Sequence, residues 1–421
     1  MKKRLEIITV GDEVLRGEVQ EDNARYLSRC CSAVGLEPSR VSVLPDGVDS
    51  LAREIVCAVK RSRIVIVTGG LGPTTDDITK EAAVRGLELE TEFRDEIVVE
   101  IAERFRGFGR SMPDSYRDQG RIPAGAVTLP NTVGLAVGLL IAGPGYDLFL
   151  LPGVPAEMRA MFDSYVLPRL REGQGEKRIR FRTFALTETE VQERLAGIPV
   201  AADAGKPAII SSPSGVDLYL YASALTGDIH EEIRLAFGSY LYAAGDRRME
   251  EMVLEMLASR REKLAVAESV TGGLLASTIV SVPGASDVFV EGWITYGDDA
   301  KIERLGTAAA SLGRFGAVSS EVCAEMAVGA RERSMADFAL ATTGIAGPGG
   351  GIGAKPVGLC YVGCACSEGQ YVQRLMLPGD RSMIRSRTVF HTLDLLRLIL
   401  MGERERIEQF SVGPRPGAGG P

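Results

Sequence analysis

Two hydrophobic rhythms alternate along this chain. Short continuous apolar runs occur at 4–10 (RLEIITV), 39–44 (SRVSVL) and 63–68 (RIVIVT), each of strand length. Runs of that kind predict strands buried on both faces. Between them lie helical patterns. Residues 23–35 (NARYLSRCCSAVG) read as a helix that stops at Gly35. In 49–60, Leu51, Ile55 and Val59 recur at helical spacing, with Asp49 placed as an N-cap. Strand, helix, strand, helix, strand predicts parallel βαβ units and a doubly wound α/β sheet. In such sheets ligands collect at the carboxyl ends of the strands.

Farther along, 132–143 and 146–162 read as paired strands followed by a helix, closing a first domain over 1–170. The pattern then changes. A charged opening (REGQGEKRIRFR), a short helix near 188–198 and a strand-like 215–225 predict a small α+β connecting domain, 171–248. The helical run 248–263 opens a third, α/β domain over 249–408, which closes on a long helix. The Pro/Gly-rich end, 409–421, reads as a disordered tail.

Composition narrows the function classes. The chain has 421 residues, 45% hydrophobic and 25% charged, with a net charge of −8. That balance fits a multidomain globular protein and argues against a general nucleic-acid binder. No apolar run reaches membrane-spanning length, and the basic start MKKRLEIITV is a first strand rather than a leader. Seven cysteines show no framework spacing, and Cys360, Cys364 and Cys366 share one strand parity, so they read as one buried face. A reducing, cytoplasmic location is expected. With two histidines in the chain, and His391 inside a helical pattern, a Ser-His-Asp triad or a zinc site is improbable.

The first chemical constellation is VTGGLGPTTDDITKEAA at 67–83. Gly69, Gly70 and Gly72 free backbone N–H groups to face an anion, with Thr74 and Thr75 beside them. The helix that follows offers its positive end. Neither a dinucleotide fingerprint nor a Walker loop is present. Asp76 and Asp77 have two readings, as caps of that helix or as holders of Mg²⁺ beside a phosphate. This stretch, with GDEVLRGEVQEDNARYL upstream and LPGVPAEMRAMF downstream, resembles the N-terminal domain of the CinA (competence/damage-inducible) family, itself similar to the MoaB/MogA molybdopterin-binding fold. The resemblance implies a metal-dependent pyrophosphatase acting on ADP-ribose. Asp77 and Asp12 match the family's acidic positions, and Asp76 stands beside them. The expected cofactor is Mg²⁺, Mn²⁺ or Co²⁺. The connecting segment departs from the family: FALTETE at 184–190 stands where a GIGES-like stretch is usual.

The second constellation, AVAESVTGGLLAS, places Glu268 and Ser269 at a strand end and Thr271, Gly272 and Gly273 at a helix start. A serine on such a turn lies near N–H groups able to stabilise an oxyanion. Tyr296 and Lys301 in WITYGDDAK supply a base without histidine. Thr343, Gly344, Gly347 and Gly349 form a second glycine-rich loop, and Arg381, Arg385 and Arg387 supply cations for a phosphate. Together these phrases resemble the C-terminal CinA domain, the PncC-type nicotinamide mononucleotide (NMN) amidohydrolases. Val270 replaces the family's usual Cys, and GDD replaces SNE. The resemblance implies NMN deamidation by Ser269 as nucleophile, Lys301 as base and Tyr296 as relay, with no cofactor. Glu268 is expected to position substrate or join the Tyr–Lys network, and Arg385 to bind the 5′-phosphate. NMN and ADP-ribose are the implied partners, and a homodimer is expected. Two other readings stay open: an N-terminal pterin- or nucleotide-binding module without turnover, and an accessory role in competence or DNA damage.

Overall fold

The computed structural model describes residues 4–171, 178–198, 207–222, 225 and 229–410. The expected tail beyond Phe410 lies outside them. The chain divides into two units, with the change near Arg178.

The N-terminal unit follows the predicted alternation. It runs β1 (Leu5–Val10), α1 (Asp12–Leu15), α2 (Asn23–Ala33), β2 (Pro38–Leu44), α3 (Val48–Arg61), β3 (Ile64–Thr68) and α4 (Thr79–Gly86). Then come β4 (Thr91–Phe93), α5 (Asp95–Gly107), β5 (Arg121–Pro123), β6 (Val127–Leu129), β7 (Gly138–Gly143), β8 (Tyr146–Leu151), α6 (Pro155–Met161) and α7 (Leu167–Arg171). The main sheet has the order β2-β1-β3-β8-β7-β6. Its first four strands are parallel, and β7 and β6 are antiparallel. Alternation along each strand sends side chains to opposite faces. Ile8, Val10, Val65 and Val67 pack with Leu51, Ile55 and Ala82 of α3 and α4. Leu5, Ile7, Ile64 and Ile66 pack with Leu27, Met158 and Phe162 on the other face. Two expectations are corrected here. Helix α3 starts at Val48 after Gly47, so Asp49 lies in its first turn and pairs with Arg85 at 2.6 Å instead of capping. Helix α4 starts only at Thr79, so neither Asp76 nor Asp77 caps it.

The second unit joins the expected connecting segment to the C-terminal domain. Its first part runs β9 (Arg178–Thr183), α8 (Glu188–Ala196), β10 (Ala208–Ser212), β11 (Gly215–Tyr221), α9 (Ile229–Phe237) and β12 (Leu241–Ala244), with sheet order β10-β11-β9-β12. The departing TETE stretch has a local explanation: Thr187 and Glu190 form a reciprocal capping box on α8.

The rest runs α10 (Met249–Arg260), β13 (Leu264–Glu268), α11 (Leu274–Val280), β14 (Phe289–Ile294), α12 (Asp298–Leu305), α13 (Ala309–Phe315), α14 (Ser320–Ser334) and β15 (Phe338–Gly344). It closes with β16 (Leu359–Cys366), β17 (Gly369–Met376), α15 (Arg381–Met401) and α16 (Arg404–Phe410). The sheet order is β14-β13-β15-β16-β17, with β14, β13 and β15 parallel and β16 and β17 antiparallel. One face carries Ala265, Ala267, Ala339 and Ala341 against α14, small side chains that let the helix approach closely. The opposite face carries Leu264, Val266 and Leu340 against α10, α11 and α15. Cys360, Cys364 and Cys366 are buried and unbridged on β16, as their parity predicts.

Candidate functional site

Chemistry-bearing side chains gather at two places, one in each unit. In the N-terminal unit a cavity of about 630 Å³ opens at the carboxyl ends of β1, β3 and β8. That volume suits a nucleotide-sized ligand. The glycine turn forms its floor. Gly69 has φ 108°, and a Cβ there would stand 2.2 Å from the Val10 carbonyl oxygen. Only glycine lets the turn pass so close to β1. The carbonyls of the turn are all tied outward. Thr79 donates to Gly69 O through its hydroxyl at 2.7 Å and to Gly70 O through its N–H at 3.0 Å. Gln119 Nε2 donates to Leu71 O at 3.1 Å and Gly72 O at 2.7 Å. Among the described residues, the N–H groups of Gly70, Leu71 and Gly72 have no partner. A turn whose acceptors are occupied and whose donors are free is built for an anion.

The carboxylates divide by task. Asp77 Oδ2 accepts from the Thr74 N–H at 2.8 Å and the Thr74 hydroxyl at 2.6 Å, so it shapes the loop. Asp12 accepts from the Asp46 N–H and from Arg16, both at 3.3 Å, and does not line the cavity. Glu13, Asp46, Asp76 and Asp77 do line it, and only Oδ2 of Asp77 is engaged by Thr74. Burial pushes the Asp46 carboxyl upward, with Glu13, Asp12 and Asp76 adding like-charge pressure against the Asp12 N–H bond. Thr75 is exposed on the loop. Among the described residues no three metal-ligating side chains converge as a preformed cluster. The carboxylates along this wall, Glu13, Asp46, Asp76 and Asp77, still fit a hard divalent cation, because Mg²⁺ bound with a phosphate needs only one or two protein carboxylates.

In the second unit the site forms where three neighbouring parallel strands end. Glu268 of β13 pairs with Ile294 of β14 and Thr342 of β15. The Ser269 N–H donates to Thr342 O, and the Thr295 N–H to Glu268 O, both at 2.9 Å. Ser269, Tyr296 and Thr343 therefore leave adjacent strand ends together. Ser269 is buried, 8% exposed, and its hydroxyl has no partner among the described residues. Gly272 and Gly273 follow at φ 58° and 92°, and the helix begins at Leu274 rather than at Thr271. The Thr271 hydroxyl meets that of Thr342 at 2.7 Å. Arg385 lies over this turn, donating from Nε and Nη2 to Thr271 O at 3.2 and 2.6 Å and leaving Nη1 for a ligand.

Lys301 is 1% exposed, so it is no solvated surface charge. Its Nζ lies 3.1 Å from Tyr296 O, 3.5 Å from Gly297 O and 3.7 Å from Asp298. Burial lowers its pKa from the ordinary lysine value, and Asp298 opposes the shift. Tyr296 is 62% exposed, and its hydroxyl accepts from Arg381 at 3.4 Å. Arg381 also donates to Gly347 O at 2.8 Å, linking Tyr296 to the second glycine loop. Within that loop Thr343 is buried, its hydroxyl spent on Ala317 O at 2.7 Å. A Cβ at Gly344 would stand 2.5 Å from Cys360 Sγ, whereas Gly349 faces open space.

Residues 6–172 match the model of a probable molybdopterin binding domain, and residues 246–400 match the CinA C-terminal domain. A relative from Caldicellulosiruptor saccharolyticus, named a competence-damage inducible protein, is 38% identical over 93% of this chain and 98% of its own. A CinA-like protein of Kosmotoga olearia is 38% identical over 94% of this chain and 99% of its own. The chain belongs to the CinA family. Among solved structures, the Agrobacterium tumefaciens competence/damage inducible protein shares 37% identity over 36% of this chain and 93% of that one, with a TM-score of 0.36. The CinA protein of Thermoplasma acidophilum shares 28% identity over 40% of this chain and 98% of that one, with a TM-score of 0.38.

For this CinA member, the assignment of Glu268 needs correction. Its carboxylate is fully buried and accepts from the N–H groups of Gly273, Leu275 and Ala276 at 2.9, 3.0 and 2.8 Å. It caps α11 and is not joined to Tyr296 or Lys301. The motif phrases also conceal residues that the N-terminal cavity uses: Glu13, Asp46, Phe108, Gln119 and Glu157. Glu13 and Glu157 lie inside the motif stretches 11–27 and 151–162. The other three come from segments with no motif of their own. Lys80, inside the 67–83 phrase, does not line the cavity but is half-buried and donates to Gln119 at 3.3 Å. Burial lowers its pKa to about 8 against the pull of Asp118 and Asp77.

Proposed function

We propose that this CinA protein is a bifunctional hydrolase of pyridine-nucleotide breakdown products. The C-terminal site deamidates NMN to nicotinate mononucleotide and ammonia, and the N-terminal site cleaves ADP-ribose to AMP and ribose 5-phosphate. One observation carries the first reading: an unpartnered Ser269 hydroxyl lies at the end of β13, and a buried Lys301 amine is held by the Tyr296 carbonyl past the end of the neighbouring β14. A neutral lysine amine keeps two N–H bonds, which suit the carbonyls of Tyr296 and Gly297, and one lone pair that can take a proton. The Ser269 oxygen attacks the carboxamide carbon while its proton passes to Lys301, with Tyr296 orienting the exchange. Ammonia leaves with that proton, and water then hydrolyses the acyl-serine. Nη1 of Arg385 and the 343–351 loop hold the 5′-phosphate.

At the N-terminal site the free N–H groups of Gly70, Leu71 and Gly72 cradle the diphosphate, and Thr74 and Thr75 flank it. Carboxylates among Glu13, Asp46, Asp76 and Asp77 would hold a divalent ion. Such an ion supplies charge neutralisation and a polarised phosphoryl group when bound. Gln119 fixes the direction of the cradle, and Asp77 fixes the shape of the loop after it.

Replacement of Ser269 by alanine tests the deamidase reading. The variant is expected to keep its melting temperature and ADP-ribose cleavage while losing ammonia release from NMN by at least ~10³-fold, the scale of a lost nucleophile. Near-normal NMN turnover in that variant overturns the nucleophile assignment.

A further inference from the structure

Besides the glycine turn, the lining of this cavity carries an exposed aromatic ring and a further carboxylate. Phe108, just past the last turn of α5, lines the cavity while 69% exposed. An aromatic ring that the core does not use, standing at a nucleotide-sized cavity, is a stacking platform waiting for a partner. Tyr116 stands in the same lining, braced edge-on against Phe105 at 4.9 Å.

Glu157 is that carboxylate. Its Oε2 accepts from Asn131 Nδ2 at 2.5 Å and from the Ala136 N–H at 3.4 Å. Asn131 Oδ1 in turn accepts from the N–H groups of Val133 and Gly134 at 3.0 and 2.7 Å. Arg104 of α5 donates to the carbonyls of Asn131 and Gly134, tying the wall that carries Phe108 to this loop. A Cβ on Gly134 would lie 2.1 Å from the Glu157 carboxyl carbon, so the loop leaves room for that carboxylate. Among the described residues Oε1 has no partner and Glu157 makes no ion pair. Three elements therefore hold one un-neutralised carboxylate oxygen at the cavity, where it accepts hydrogen bonds and repels phosphate.

Building on the N-terminal reading above, we propose that this part of the lining is a nucleoside subsite: Phe108 stacks on the base and Glu157 accepts from ribose hydroxyls. The arrangement gives the ligand a direction, with the diphosphate on the glycine turn and the nucleoside at Phe108. It also gives selectivity. An acidic side chain accepts free 2′- and 3′-hydroxyls and rejects a 2′-phosphate, the logic by which acidic residues separate nucleotides from their 2′-phosphorylated forms. The subsite thus selects a nucleoside diphosphate with an unmodified ribose.

Calorimetric titration of the full chain with ADP, 2′-phospho-ADP and inorganic pyrophosphate tests this directly. Phe108→Ala removes only an exposed ring and is expected to weaken ADP about tenfold while leaving pyrophosphate within about twofold, the scale of one lost stack. Glu157→Gln retains an oxygen for Asn131 and Ala136 and turns an amide toward the ligand. It is expected to shrink the preference for ADP over 2′-phospho-ADP about tenfold. Equal weakening of ADP and pyrophosphate by Phe108→Ala, or an unchanged preference in Glu157→Gln, overturns the subsite. If the ADP pattern holds while the wild type fails to cleave ADP-ribose, the hydrolase reading falls and the subsite stands.

Discussion

Changing Glu268 to glutamine should cost stability before it costs chemistry. The two carboxylate oxygens receive three backbone N–H groups, two on Oε2 and one on Oε1, inside a fully buried pocket. A glutamine placed to keep the two bonds at the Oε2 position sets its NH₂ against the Ala276 N–H. That exchange loses one bond, opposes two donors and removes charge assistance from the other two bonds. Hydrogen bonds to charged groups are worth ~1.5–3 kcal/mol, and a buried donor left unpaired costs ~1–3 kcal/mol. A loss of about 2–4 kcal/mol follows, equivalent to a fall of roughly 5–15 °C in melting temperature for a domain of this size. The assay is thermal unfolding followed by near-ultraviolet circular dichroism, paired with NMN turnover well below the transition. Turnover should fall only as far as the Ser269 turn loosens, within ~10-fold. An unchanged melting curve with activity lost by ~10³-fold would refute the capping account and return Glu268 to the chemical step.

Lys301→Arg should lose nearly as much NMN deamidation as Lys301→Ala, because arginine stays charged at working pH. In the wild type, deamidation should rise with pH as the buried amine loses its proton, over a range below that of a free lysine; a flat profile would make Lys301 a fixed cation. Gln119→Leu should release the carbonyls of Leu71 and Gly72 and weaken pyrophosphate binding by roughly tenfold, one to two hydrogen bonds' worth, with NMN turnover unaffected. Asp46→Asn should raise the melting temperature in metal-free buffer while reducing ADP-ribose cleavage. The folded-state pKa of Asp46 is raised, so the strain is present above it, and the gain should vanish as pH falls and the wild-type carboxyl protonates. His391, half-buried edge-on against Phe184, has its pKa lowered by desolvation from 6.5 to about 4. The unfolded chain takes up that proton first, so stability should fall by up to about 1.4 kcal/mol per pH unit between those values. His391→Leu should flatten that slope, as acid titration of the melting temperature would show.

Much of this architecture was legible because its signals are local. The apolar runs 5–10, 64–68 and 264–268 are buried at almost every position, so composition alone marks them as central strands. The two glycine turns announce themselves because a left-handed backbone at Gly69 or Gly273 restricts the residue type. What stayed hidden depends on long-range contact. Gln119 reaches back to the turn from 47 residues away, and Asn131 reaches forward 26 residues to Glu157. Acidic residues beside a phosphate-like loop also read alike in sequence. Only the fold shows that Asp12 stays off the cavity lining while Asp46, Asp76 and Asp77 reach it, Asp77 with one oxygen engaged by Thr74. Glu268 misled for the same reason: in sequence it adjoins Ser269, but a strand sends successive side chains to opposite sides.

The account rests on two hydrolytic sites with different requirements in one chain. The most direct test incubates the purified full-length protein separately with NMN and with ADP-ribose, each with a divalent ion and with EDTA, and follows ammonia and AMP. The account predicts ammonia release from NMN unchanged by chelation, and AMP release from ADP-ribose abolished by it. Chelator-resistant AMP release, or no ammonia from NMN under either condition, would contradict it.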